Sequence, residues 1–128
     1  CFTGRTDFQV SRTRDMPRRP LKELVPGVNE SPEKAAVYRS VPWIVLDHQP
    51  KGIESDYQGK LPDFALSGHT HDGQFFPATL FIDLFWRLSA GFGVLDGTNW
   101  LVTSGVDSWG PPVRVGSDTE MWALTFEH

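Results

Sequence analysis

His69 and His71 stand two residues apart in Gly68-His69-Thr70-His71-Asp72-Gly73-Gln74, and a third histidine, His48, follows the run Ile44-Val45-Leu46-Asp47. Neutral imidazole is the commonest protein ligand for zinc-, iron- and manganese-type ions. In an extended segment the rings of His69 and His71 face one side; within a turn they diverge and serve two adjacent sites. Gly68 and Gly73 let the backbone bend tightly there and leave room for an ion or a phosphate. Each histidine alone has an ordinary reading, His48 as a hydrogen-bonded strand-end residue and the His-x-His pair as a chance feature of a surface loop. Together, behind two apolar runs, the three imidazoles point to metal binding. His128, at the chain end, is set aside.

Both histidine clusters sit where a sheet can present them. Residues 42–46 form a compact β-branched apolar run with the composition of a buried strand, and residues 63–67 read as a second buried strand. The connection between them is long enough for a crossover helix, with residues 53–58 as the candidate. Neighbouring parallel strands with functional loops at their carboxyl ends are therefore expected. A short strand is expected at residues 1–5, a short helix at 21–25 stopped by Pro26-Gly27, and a short helix after Ser31, with Pro32 in its first turn. Leu80, Phe81, Leu84, Phe85 and Leu88 recur at helical spacing, which predicts a helix of roughly ten residues ended by Gly91-Phe92-Gly93. The remainder reads as β-rich, with strands at 100–103 and 121–126 around a Gly/Pro loop at 105–112.

Bulk properties fit an ordinary globular domain. The chain has 128 residues, 39% hydrophobic and 22% charged, with a net charge of -4. That charge gives no general reason to expect nucleic acid as a partner. Cys1 is the only cysteine, so no disulfide forms within the chain. No stretch reaches the eighteen or so consecutive apolar residues of a membrane span. With no initiating methionine, the chain is expected to be part of something longer. Six of the twelve Lys and Arg residues, Arg5, Arg12, Arg14, Arg18, Arg19 and Lys22, fall in the first twenty-two positions. They form either a solvated segment or a patch that attracts phosphate or an anionic membrane surface.

Ile44-Val45-Leu46-Asp47-His48-Gln49-Pro50, then Leu66-Ser67-Gly68-His69-Thr70-His71-Asp72-Gly73-Gln74-Phe75, resembles the C-terminal part of a calcineurin-like metallophosphoesterase, in the bacterial branch with a Gly-His-Thr-His-Gly-Gly-Gln loop. The tail from Thr103 to Arg114 fits the same branch. The resemblance implies an α/β (α+β) fold, with residues 1–128 as a single partial domain. That domain would be the C-terminal half of a four-layer α/β/β/α sandwich whose N-terminal half is absent. It also implies two divalent ions (Mn, Zn, Fe or similar), with His48 and His69 ligating one and His71 the other. The ions would clamp a phosphate monoester or diester and lower the pKa of the attacking water. Upstream motifs of the family, Asp-x-His, Gly-Asp-x-x-Asp and Gly-Asn-His, do not occur in these residues. A parent enzyme with an inert fragment, its metal held weakly or in part, is thus the expectation. The alternative is a non-catalytic metal-binding or interaction module on the same fold.

Two departures from the branch stand out. Asp72 occupies a usual glycine position, where it either strains a turn or adds an oxygen ligand. Thr103-Ser104-Gly105 lacks an arginine common before that glycine, leaving Arg114 as the candidate phosphate contact or a structural ion-pair member. Phe75, Phe76, Phe81, Ile82, Phe85 and Trp86 offer more apolar surface than one helix face can hide. They are read as core, as a surface for lipid chains or a membrane, or as a face covered by the missing half or a dimer mate. A phosphoester substrate, lipid-linked by analogy with relatives, and a membrane-associated or exported parent complete the expectations.

Overall fold

A computed structural model describes residues 1–127; His128 lies outside the described residues. Five strands form one mixed sheet in the order β1-β2-β3-β5-β4. They are β1 (Phe2–Gly4), β2 (Ile44–Leu46), β3 (Phe64–Ser67), β4 (Gly91–Leu95) and β5 (Thr98–Val102). β1, β2, β3 and β5 run parallel, and β4 returns antiparallel on β5. The helices are α1 (Phe8–Thr13), α2 (Pro32–Ser40) and α3 (Ala78–Phe85), with single 3-10 turns at Leu21–Glu23 and His71–Gly73. The α/β class and the parallel pairing of the two histidine-bearing strands hold.

Strand alternation sorts the sheet into two faces. Val45, Ala65 and Trp100 share a row and, with Leu21, Trp43 and Leu95, form the buried core. Trp43 is fully buried, its indole N–H donating to Thr3 Oγ1 at 3.0 Å. The opposite face is also apolar, as expected of a largely parallel sheet. Phe2, Leu46, Phe92 and Val94 are exposed on it.

Three expectations fail for local reasons. Gly91-Phe92-Gly93 opens strand β4 rather than ending a helix, because Asp96-Gly97, both at positive φ, makes the tight turn of a β4–β5 hairpin. Residues 53–58 form turns, with no crossover helix: the Ile53 N–H is taken by Asp96 Oδ2 at 3.0 Å, and Glu54 pairs with Arg5. Residues 121–126 form no strand; Trp122 and Phe126 instead set their rings edge-on to Phe92 and Phe64, at 5.2 and 6.0 Å between centroids. The helix after Ser31 forms over nine residues, although the Ser31 side chain makes no capping bond.

Candidate metal centre

Three adjacent parallel strands deliver polar side chains at their carboxyl ends, the edge where open α/β sheets place their ligands. Asp7 follows β1, His48 follows β2 and His69 follows β3. The Gly68 N–H donates to the His48 carbonyl at 3.1 Å, so the two histidine-bearing turns are stitched together just past the sheet. The imidazoles of His48 and His69 meet edge to face, with centroids 5.0 Å apart. The Trp86 ring also lies edge-on to His69, with centroids 5.3 Å apart. His48, His69 and His71 share a cavity of about 480 Å³ with Gln9, Gln74 and Ile82.

The loop that carries His69 and His71 is wound by left-handed residues. His69, His71, Asp72 and Gln74 have φ between 49° and 70°, and Gly73 has φ 75°. Non-glycine residues in this region are strained, and such strain gathers at functional sites. A Cβ at Gly73 would sit 2.7 Å from backbone atoms of Thr79, so only glycine fits under α3. Of the two arrangements open to His-x-His, the divergent one forms. His69 turns to His48, and His71 turns to Arg114, whose guanidinium donates to the His71 carbonyl at 3.2 Å and lies 3.3 Å from Nδ1.

Among the described residues Arg114 has no ion-pair partner, and it does not line the histidine cavity. Its guanidinium also donates to the carbonyls of Ser104 at 2.7 Å and Asp118 at 3.3 Å, and to that of Asp107. Its two terminal nitrogens clamp the 104–118 loop to the histidine loop, while its buried Nε has no partner among the described residues.

Two participants escaped the reading of the sequence. Gln74, buried, donates from Nε2 to the carbonyls of Trp109 at 2.7 Å and Val113 at 3.2 Å, while its Oε1 accepts the Trp109 N–H. It staples the Gly/Pro loop over the cavity. Asp7 caps α1 through Oδ1, which accepts from the Gln9 N–H at 2.8 Å, and its buried Oδ2 has no partner. Burial pushes the Asp7 carboxyl up. The Gln9 and Val10 amides and the charge of His48 and His69 more than offset that, leaving its pKa lowered. The signal for Asp7 was its place after a strand that pairs with the His48 strand. His69 is shifted downward, first by burial and then by His48, with Asp7 opposing. The fold thus favours the neutral ring, the form that can donate a lone pair to a metal.

The donor chemistry suits a divalent ion, in imidazoles near the unpartnered carboxylate oxygen of Asp7. The donor number does not: among the described residues no three His, Cys, Asp or Glu side chains converge closely enough to hold one. Structural and catalytic sites usually take three or four protein ligands.

The chain is 36% identical over 104 residues to an uncharacterized metallophosphoesterase of Helicobacter pylori (strain J99), an alignment covering 80% of this chain and 28% of that protein. It is 36% identical over 126 residues to a zebrafish (Danio rerio) transmembrane protein with metallophosphoesterase domain, covering 94% of this chain and 26% of the relative. A third relative is an uncharacterized metallophosphoesterase of Campylobacter jejuni, 38% identical over 93 residues, 66% of this chain and 22% of that protein. No family model and no solved structure matches the chain. These relatives share one family name across bacteria and vertebrates, and the chain spans about a quarter of their length. The chain belongs to the metallophosphoesterase family.

Proposed function

We propose that the full-length protein hydrolyses phosphate monoesters or diesters at a dinuclear metal centre, and that this chain supplies the histidine side of it. The reading rests on one observation above all. His48 and His69, carried on adjacent parallel strand ends, bring their rings to 5.0 Å on the wall of a cavity that also takes in His71. By the family resemblance His48 and His69 would hold one ion and His71 the other. When bound, divalent ions would neutralise phosphate charge and lower the pKa of the attacking water.

The chain's own residues orient and enclose. Gln74 holds the 109–113 loop over the cavity, and Trp86 packs edge-on against the His69 ring. Arg114 acts through the loop, by fixing the backbone of His71. With too few donors converging for a complete site, the remaining ligands would come from the rest of the polypeptide, and residues 1–128 alone would be inert. The apolar second face of the sheet is the natural seat for the second sheet of a four-layer sandwich.

The shortage of donors also favours a second reading, a metal-binding or interaction module that hydrolyses nothing. One assay separates the two. Full-length protein with manganese should turn over bis-p-nitrophenyl phosphate, and His69→Ala should reduce both turnover and manganese binding by isothermal titration. Manganese binding without turnover would favour the non-catalytic module; loss of neither in the variant would dismiss His69 as a ligand.

A further inference from the structure

Helix α3 is built from Ala78-Thr79-Leu80-Phe81-Ile82-Asp83-Leu84-Phe85, and none of its residues is buried. Leu84 and Phe85 are 77% and 78% exposed, with Leu80, Phe81 and the preceding Phe76 exposed beside them. An apolar helix that neither enters the core nor lies on the sheet forgoes most of its burial free energy. Its one carboxylate, Asp83, is engaged by Ser89 Oγ, so the outward apolar cluster carries no free charge. The helix stands at the mouth of the histidine cavity, which Ala78 and Ile82 line.

Cations stand near the same cavity. α1 contributes Gln9 to the same cavity, and its last turn carries Arg12, followed by Arg14 at the C-cap. The basic segment divides in two. Arg5 and Arg18 are committed to Asp47 and Glu54, and Arg19 to Glu23. Arg12 and Arg14 are exposed, and among the described residues neither side chain has a carboxylate partner. Lys51 joins them, its ammonium 3.9 Å above the Phe8 ring, and it lines a second cavity with Phe85 and Trp86. Free cations thus stand on and beside α1, next to these two cavities, in a chain whose net charge is -4.

We propose that this end of the molecule docks on an anionic lipid bilayer. Leu80, Phe81, Leu84 and Phe85 enter the headgroup–acyl boundary, while Arg12, Arg14 and Lys51 meet lipid phosphates. Apolar insertion backed by unpaired cations is the pattern of interfacial membrane binding, and neither alone gives stable attachment. Among the described residues no helix is long and apolar enough to cross a membrane, so this contact is peripheral. Docked in this way, the cavity mouth faces the headgroup layer. On the proposed hydrolytic reading, which this last step alone rests on, the substrate class is a phosphoester on a lipid anchor.

The test uses full-length protein with an NBD fluorophore on Leu84→Cys, with EDTA present so that metal chemistry plays no part. Adding vesicles of phosphatidylcholine and phosphatidylglycerol should raise and blue-shift the emission, whereas pure phosphatidylcholine should do so about tenfold more weakly. A label on Lys34→Cys, on the polar helix α2, should not respond. Arg12→Glu with Arg14→Glu should lower the apparent affinity for the anionic vesicles by about tenfold. In unlabelled protein, Leu84→Ser with Phe85→Ser should leave the melting temperature unchanged. An unresponsive Leu84 label, equal responses at both labels, or undiminished affinity in the arginine variant overturns the proposal. So does a fall of melting temperature in the serine variant, which would mean that protein covers α3.

Discussion

Arg114 donates to the His71 carbonyl at 3.2 Å and holds a second guanidinium nitrogen 3.3 Å from Nδ1 of the same residue. A guanidinium has donors only, so Nδ1 faces it as an acceptor. The proton of the neutral ring must then sit on Nε2. Binding a cation through Nε2 would displace that proton, and binding through Nδ1 would displace Arg114. Long-range proton–nitrogen NMR on the metal-free protein should show the Nε2–H tautomer at His71, and Arg114→Met should release the preference. A wild-type ring protonated on Nδ1 would refute the contact.

Gln74 offers a second test, since one buried amide closes three carbonyls and an N–H of the 109–113 loop. Gln74→Leu keeps the volume and strands those groups, which should cost about 2–4 kcal/mol. Urea unfolding of the full-length protein reads it directly. A loss under about 0.5 kcal/mol would mean that water satisfies the loop as well as Gln74 does.

Much of this site lay open in the residue order. β2 announces itself as a β-branched run and β3 as a short apolar one, each followed within three residues by histidine, and their pairing follows from the long connection between them. The stripe from Leu80 to Phe85 marks α3 by its spacing. What stayed hidden depends on approach in space. Asp7 reaches the histidines only because β1 pairs with β2, and Gln74 meets its partners some 35 residues along the chain. The hairpin at Asp96-Gly97 was legible from its turn residues. It lost to the glycines at 91 and 93, which serve a strand as well as they stop a helix.

Asp72 sits at φ 50° and ψ 41°, inside the left-handed region. An L-residue pays roughly 1 kcal/mol there, and glycine pays almost none. Its carboxyl is also pushed up, by burial and then by Asp83 and Glu120. Asp72→Gly should therefore stabilise the full-length protein by about 1 kcal/mol. Asp72→Ala, which removes the charge and keeps the strain, should gain less. Equal gains would assign the effect to charge rather than backbone. A drop in manganese affinity in the glycine variant would instead identify Asp72 as an oxygen ligand.

His69 sets the sign of one pH effect. Burial first, then His48, with smaller contributions from His71 and Lys51, hold its pKa below the ordinary 6.5, and Asp7 opposes them. The unfolded ring binds a proton at higher pH than the folded ring. Between the folded value and 6.5 the unfolded state therefore carries more protons, and stability rises with pH. The stabilisation is complete above 6.5 and is lost as pH falls through that window. Comparing chelator-treated wild type with His69→Gln by urea unfolding across pH isolates this part, because the remaining groups titrate in both. The wild type should lose stability faster on acidification below 6.5. Parallel curves would mean that the imidazole titrates freely and that its burial against His48 and Trp86 carries no cost.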